Sequence, residues 1–407
     1  MNLAPPKGTD DILPPDSRAW RRVLRSWDSW SERFGFELGM TPLFEATELF
    51  ERGVGESTEV VRKQMYTFED RAGRSLSLRP EGTASFVRAY LNAGIRGVWK
   101  ASYSGPMFRY EKPQKGRRRQ FFQVGAEVIG TESPEVDAEI IELAYRFLLD
   151  VGVPAVVVEI NSLGDPSDRS AYEAVLVTWL NDRIDRLCAD SVETLAINPL
   201  RVLDCKVCRE VTMGAPTPVE MMSPTAKEAY ETVKQRLTLL DVPYRENPRL
   251  VRGLDYYTRT AFEYIATGLD AAQNAVGGGG RYDGLGEKIC GRAVPGVGVA
   301  LGIDRIILAM GDPVLPPSTE AFVVAAPGFS DEAAIVVSRL RGEGSKVETV
   351  FGGRSLNAQT KAAAKTAVAV IITVGEGYAQ GQVTYRELRS GAETQVSIEE
   401  ISQCLKP

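Results

Sequence analysis

Apolar residues at Val136, Ile140, Leu143, Ala144 and Phe147 recur at helical spacing, between Ser133-Pro134 on one side and Gly152 on the other. Serine as N-cap, proline in the first turn and glycine after the last turn predict a helix over that span. Upstream the period changes to two. Phe108 to Glu111 and Arg117 to Ile129 read as strands, and Lys112-Pro113-Gln114-Lys115-Gly116 between them as a hairpin connection. Val156, Val157, Val158 and Ile160 resume strand character, and Thr258 to Ile265 is another strand. Residues 166–246 read as mostly helical, an expected insertion. Ile303, Ile306, Ile307 and Met310 form one face of a short helix, which turns Arg305 away from the core. The first 310 residues therefore predict an α+β domain, an antiparallel sheet backed by helices.

The pattern shifts after the Pro-rich stretch Asp312-Pro313-Val314-Leu315-Pro316-Pro317-Ser318, so a linker is expected over 311–320. Beyond it, Ala321 to Ala326, Val347 to Phe351 and Val368 to Val374 suit strands, while Asp331 to Leu340 and Leu356 to Thr366 suit helices. Strands alternating with helices predict a small α/β domain over 321–407 with parallel pairing.

Alternation also sorts the second hairpin strand. Phe122, Val124, Ala126 and Val128 point to one face, the core; Arg119, Phe121, Gln123, Gly125 and Glu127 point to the other. On the facing segment Arg109 and Glu111 alternate with Phe108 and Tyr110. One face thus offers arginine, glutamine and glutamates beside a glycine gap. A solvated polar face is the plain alternative.

Composition narrows the chemistry. The chain has 407 residues, ordinary for two or three globular domains. With 48 basic against 54 acidic side chains its net charge is −6, so any polyanion must meet a local basic patch. The densest is Lys112, Lys115, Arg117, Arg118 and Arg119, at the hairpin tip. No apolar run approaches the roughly 18 residues of a membrane span. Residues 1–11 show no basic segment followed by an apolar one, and cysteines are few and odd in number, which together predict a reducing cytoplasm. There is no histidine at all. This excludes a Ser-His-Asp triad, a histidine general base and a histidine-ligated metal, and leaves arginine, lysine, tyrosine and carboxylates. Cys205-Lys206-Val207-Cys208 is the one close cysteine pair; with no second pair it reads as two thiols in a loop, and no protein-held metal site is expected.

Two glycine tracts would let a ligand approach the backbone, Arg252-Gly253 and Gly277-Gly278-Gly279-Gly280-Arg281-Tyr282. Neither matches the dinucleotide or P-loop fingerprint. Joint order carries more than any single tract. Arg79-Pro80-Glu81-Gly82-Thr83, Met107-Phe108-Arg109-Tyr110-Glu111, Gln123-Val124-Gly125-Ala126-Glu127, Arg252-Gly253-Leu254-Asp255-Tyr256-Tyr257 and Gly302-Ile303-Asp304-Arg305 resemble, in that order, the histidyl-tRNA synthetase family. The resemblance begins at Lys7-Gly8-Thr9-Asp10-Asp11-Ile12-Leu13-Pro14 and runs nearly the whole chain.

The resemblance implies a class II synthetase catalytic domain joined to an anticodon-binding domain. It implies a homodimer, with Gly39-Met40-Thr41-Pro42-Leu43 as its dimer motif, that uses ATP and magnesium to charge the histidine tRNA. By matching position, Arg109 would meet the α-phosphate, Glu111 the adenine end, Arg305 the outer phosphates and Arg252 the transferring phosphoryl group, with Arg117 also near ATP. Glu81, Gly82, Thr83, Gln123, Glu127, Tyr256 and Tyr257 match the histidine pocket. Gln114, Lys115, Arg118 and Arg119 match the loop that meets the acceptor end of the tRNA. Phe122 stands where many relatives have histidine, Asp304 where glutamate is usual and Lys7 where arginine is usual. Adenylation needs little proton transfer, so it suits a histidine-free chain. A regulatory paralogue that binds histidine for ATP phosphoribosyltransferase is the competing reading, and a synthetase for another amino acid a weaker one. The arginine set and the C-terminal domain weigh against the first, the paired tyrosines against the second.

Overall fold

A computed structural model describes residues 3–55, 58–250, 253–269, 274–311, 319–351, 353–366 and 368–405. The chain packs as two units, Met1–Pro313 and Val314–Pro407.

The first unit is built on an eight-stranded sheet. Its spatial order is Glu37–Leu38, Trp99–Phe108, Gln120–Ile129, Gly296–Gly302, Ala275–Arg281, Thr258–Ala266, Val156–Ser162 and Tyr244–Glu246. The six central strands pair antiparallel, and the two short edge strands pair parallel. Sequence alternation places Val124, Ala126 and Val128 on the covered face. There they pack with Ile140, Leu143, Ala144 and Phe147 of the helix Pro134–Val151 and with Ile303 and Ile306 of the helix Ile303–Met310. Gly152 ends the former helix in the left-handed conformation, φ +92°. Phe122 joins this layer edge-on to Trp20, 5.1 Å between ring centres.

The opposite face is not solvated. A second apolar layer of Phe50, Phe86, Tyr90, Tyr103, Met107 and Ile129 covers much of it, beneath the helices Thr47–Val54, Thr83–Asn92 and Leu285–Cys290. Glu127 on this face is fully buried. A three-stranded sheet, Phe44–Ala46, Ser75–Leu78 and Tyr66–Glu69, lies beside it in the chain.

The hairpin corrects the sequence reading. Its strands are Trp99–Phe108 and Gln120–Ile129, so Arg109, Glu111, Arg117, Arg118 and Arg119 lie in the connection and not on strands. Residues 109–119 alternate like a strand, but their backbone finds other partners. Tyr110 N–H donates to Gln64 O (2.7 Å), Arg119 N–H to Gly8 O (2.8 Å), and Gly116 turns the tip at φ +72°. Arg281, which ends the glycine tract, faces away from the glycine-lined side. It is buried on Asp137, also reaches Asp283, and donates to the carbonyls of Thr131 and Ser133, pinning the start of the helix Pro134–Val151.

From Pro166 to Met221 the chain forms helices and short 3₁₀ segments around a small core of Tyr172, Leu176, Leu180, Leu195, Leu200, Val202 and Leu203, whereas the helix Pro224–Leu239 sends Ala226, Tyr230, Val233 and Leu237 into the main core beside the helix Pro134–Val151. Among the described residues no helix is long and apolar enough to cross a membrane.

The second unit has a five-stranded sheet in the order Val347–Thr349, Ala321–Ala325, Val370–Val374, Gln382–Glu387, Glu393–Ser397. The first three strands are parallel, as the alternation of strand and helix predicts; the last two add an antiparallel edge. Ala321 and Val323 pack with the helix Ser330–Gly342, and Phe322 and Val324 with Ala363 of the helix Leu356–Ala364, so both faces are buried. Most of the linker, 312–318, lies outside the described residues.

Candidate active site

A cavity of about 650 Å³ opens on the face of the first sheet that carries Gln123. Its floor is nearly bare backbone. Gly277, Gly278, Gly298 and Gly302 line it, on two adjacent strands. A side chain at Gly298 would overlap the Glu127 carboxylate, and one at Gly125 would overlap the Tyr103 ring. Gly125, Gly277 and Gly298 are therefore required by close approach, not by turn geometry.

At one end the wall is built from carboxylates and hydroxyls. Glu81 precedes the helix Thr83–Asn92, and its carboxylate accepts from the backbone N–H groups of Thr83 (2.7 Å) and Ala84 (3.0 Å). It therefore caps a helix N-terminus, where negative charge is favoured. Burial nonetheless raises its pKa. The Tyr256 hydroxyl donates to it at 3.4 Å. Glu127 accepts from Thr83 Oγ1 (2.8 Å), Tyr282 Oη (2.6 Å) and Tyr103 Oη (3.4 Å). Three donors favour its charged form, but complete burial outweighs them, and its pKa is pushed up to about 8. Glu127 itself sits in the wall, behind Thr83, Tyr103 and Tyr282, which do line the cavity. Tyr256 and Tyr257 stack obliquely, 4.7 Å between centres. The side-chain oxygen of Gln123 is buried with no hydrogen-bond partner among the described residues, and it lines the same cavity. Such an acceptor is costly unless a ligand satisfies it.

Cations line the cavity as well, beginning beside Glu81. Arg109 donates from Nε to Pro80 O (2.9 Å) and lies over the Phe121 ring (5.2 Å). Arg305 reaches to the start of a central strand, donating to Ala275 O (2.6 Å), and to the hairpin tip, donating to Gly116 O (3.4 Å). Burial lowers the pKa of both guanidiniums, and nearby Arg117 lowers that of Arg305 further. Partly desolvated cations gathered around a cavity create a site for an anion. Glu111 and Arg117, 3.5 Å apart, complete this group, and Glu263 also lines the cavity.

Of the residues singled out in the sequence, Glu81, Gly82, Thr83, Arg109, Glu111, Arg117, Arg118, Gln123, Tyr256, Tyr257 and Arg305 line this one cavity. Arg252 lies outside the described residues. Gln114 and Lys115 are exposed at the hairpin tip. Arg118 is held by Asp10 (3.0 Å) and Asp304 (3.3 Å), and Arg119 stacks on Tyr110 (3.8 Å), so both brace the loop. The sequence reading missed Tyr103, Tyr282, Glu263 and Gly298. Tyr103 was within reach of the argument, because the glycine gap at 125 needs a large partner across the strand pair.

The insertion supports the site from outside. Asn198 donates to Asp255 Oδ1 (2.8 Å), Arg201 lies 3.8 Å from the same carboxylate, and Arg169 donates to the backbone oxygens of Asp255 and Tyr257 (3.2 Å each).

Residues 8–306 match the family model described as histidyl-tRNA synthetase, and residues 314–406 match the anticodon binding domain. The chain is 45% identical to the histidine–tRNA ligase of Desulforudis audaxviator, over 100% of this chain and 99% of that one. It is 40% identical to the histidine–tRNA ligase of Syntrophotalea carbinolica, over 100% and 98%. Its fold matches the crystal structure of apo S. aureus histidyl-tRNA synthetase with a TM-score of 0.78 and 33% identity, covering 100% of both chains. With the whole chain matched and the motif residues gathered around one cavity, the chain belongs to the histidyl-tRNA synthetase family.

Proposed function

We infer that this chain is a class II aminoacyl-tRNA synthetase that activates histidine with ATP and transfers it to the histidine tRNA. One observation carries the assignment of the two groups in the cavity. The partnerless buried acceptor Gln123 shares the cavity with Glu81, and with Glu127 behind it, while Arg117 and Arg305 gather by the hairpin connection and Arg109, whose charge also reaches Glu81, lies between the two groups. A substrate with an ammonium group and a ring N–H suits the first group through charge-assisted hydrogen bonds. A polyphosphate suits the second.

The reading assigns Glu81, Gly82, Thr83, Gln123, Tyr256 and Tyr257 to histidine, with Glu127 fixing the hydroxyls behind them. Arg109 meets the α-phosphate, Glu111 the adenine end and Arg305 the outer phosphates; Arg252 takes its place by matched position alone. In the first step a carboxylate oxygen of histidine attacks the α-phosphorus, and the bond to the bridging oxygen breaks as pyrophosphate leaves. In the second, a hydroxyl at the end of the tRNA attacks the activated carbonyl and AMP leaves. Fixed cations supply the stabilisation, and positioning much of the rest. Magnesium usually binds through one or two carboxylates together with substrate phosphates. Glu263, in the lining near Arg305, offers one carboxylate, so the ion would enter with ATP and offset phosphate charge.

The homodimer rests on a different feature. Leu38, Met40, Leu43, Phe44 and Phe68 are all exposed, Met40 by 86%. They lie along and beside the Gly39–Leu43 motif, and contiguous exposed apolar surface of this kind marks an interface. A cytoplasmic location accords with the reduced cysteines and with the reaction. Histidine-dependent pyrophosphate exchange, run against every other standard amino acid, tests the reading. Exchange with histidine alone is expected. Histidine binding without exchange would favour the regulatory paralogue.

A further inference from the structure

Outside the cavity, the described residues hold one other cluster of chemically potent side chains. Cys188, Cys205 and Cys208, all in the insertion, have their sulfurs within 4.8 Å of one another. Cys188 is the N-cap of the helix Ala189–Ile197, and Cys205 follows the 3₁₀ segment Pro199–Asp204, so two elements 17 residues apart in sequence bring the thiols together.

We propose that these three cysteines form a structural site for a soft divalent cation, zinc being the natural occupant. The Cys188 and Cys205 sulfurs are 3.7 Å apart. A disulfide requires about 2.05 Å. Two thiolates on one tetrahedral zinc, each at about 2.3 Å, stand roughly 3.8 Å apart. The Cys205-Lys206-Val207-Cys208 spacing is the two-residue gap of zinc-binding turns. Its backbone is arranged accordingly. The N–H groups of Val207 and Cys208 turn toward the Cys205 sulfur, and Cys188 N–H donates to the Cys208 sulfur at 3.2 Å. Donors to ligating sulfurs are the outer support that metal sites use. Ser191 Oγ stands 3.2 Å from the Cys188 sulfur and 3.3 Å from that of Cys208. It gives the fourth corner an oxygen, its own or that of a water it holds.

The site has a physical purpose. The part of the insertion that carries the thiols, 166–221, is built on a core cluster of seven buried residues and several short turns, small enough to gain from a metal staple. Asp204 and Lys206, flanking Cys205, line the catalytic cavity. A cation there fixes the stretch that also carries Asn198 and Arg201, which hold the Asp255 carboxylate.

The full chain, purified under reducing conditions and loaded with Zn²⁺ alone, is dialysed and its metal content measured. One equivalent of zinc per chain is expected to remain. Cys188→Ser and Cys205→Ser should bind it at least about tenfold more weakly, while Cys290→Ser, at an exposed thiol, should not. Co²⁺ should give thiolate charge-transfer bands and visible bands of tetrahedral intensity. Should the cluster variants fail to fold, thiol reactivity of the unaltered chain decides. Zinc should shield Cys188, Cys205 and Cys208 from a thiol reagent and leave Cys290 and Cys404 reactive, and a chelator should reverse this. Zinc lost on dialysis, equal zinc in the Cys188→Ser and Cys290→Ser chains, an octahedral cobalt spectrum or thiol reactivity indifferent to zinc would each overturn the proposal.

Discussion

Tyr103 stands directly across the strand pair from Gly125, and its ring fills the space that a side chain at 125 would take. The same tyrosine donates to Glu127, so a glycine on one strand sets where a carboxylate is held two residues further along. Gly125→Ala should push the ring aside. Overpacking of this kind costs about 1–3 kcal/mol, and histidine affinity should fall with it. Adding Tyr103→Leu should restore stability without restoring affinity. Urea titration and histidine binding check the pair; a Gly125→Ala protein that binds histidine normally would show the wall to be more compliant than the geometry indicates.

Glu127 makes stability depend on pH. Its folded-state pKa, near 8, exceeds the ordinary 4.5, so the folded chain holds a proton there that the unfolded chain has released. Stability from this group is complete below 4.5 and is lost as pH rises toward 8, at up to roughly 1.4 kcal/mol per pH unit. Glu127→Gln removes that slope. Urea midpoints measured from pH 5 to pH 9 should show the variant gaining on the parent up to about pH 8. A difference that stays constant with pH would remove Glu127 as its source.

Arg109→Lys keeps the charge and loses the planar fork. Single-turnover adenylate formation should slow by about 10²–10³, while histidine binding holds. Rapid-quench measurement at saturating histidine and ATP separates the two. Adenylation at the parental rate would take Arg109 away from the α-phosphate.

Lys115 is exposed at the hairpin tip, apart from the braced Arg118 and Arg119. Lys115→Glu should weaken tRNA charging and flatten its dependence on salt, because fewer counterions leave the phosphates. Pyrophosphate exchange, which needs no tRNA, should be untouched. An unchanged salt slope would move the tRNA contact elsewhere.

Legibility in the sequence followed the physics of each element. The helix over 134–151 and the face carrying Gln123, Gly125 and Glu127 could be read because period, cap and alternation agree there. Residues 109–119 could not. Their alternation is real, but Gly8 and Gln64 supply the hydrogen bonds that a neighbouring strand would have given. The ion pairs of Arg118 with Asp10 and Asp304 and the stacking of Arg119 on Tyr110 were likewise invisible in the sequence, because their partners lie on other segments or depend on how the loop folds. Tyr282 was in plain view after Arg281, yet the two residues point to opposite sides of the sheet, one to the cavity and one to Asp137. Cys188 was beyond reach for a simpler reason: spacing along a chain says nothing of a third thiol brought in by a separate helix.

The grip of Asn198 and Arg201 on Asp255 has a consequence for anyone who would redesign this scaffold. Asp255 sits one residue before the paired tyrosines, and its orientation is supplied by a segment more than fifty residues earlier. If the paired tyrosines read the amino acid as proposed, their loop is therefore not portable. Grafted onto a catalytic domain without this insertion, the tyrosines would arrive without the scaffolding that aims them. Trimming the insertion to make a minimal enzyme would blunt amino-acid selection while leaving the arginines at the phosphate end in place.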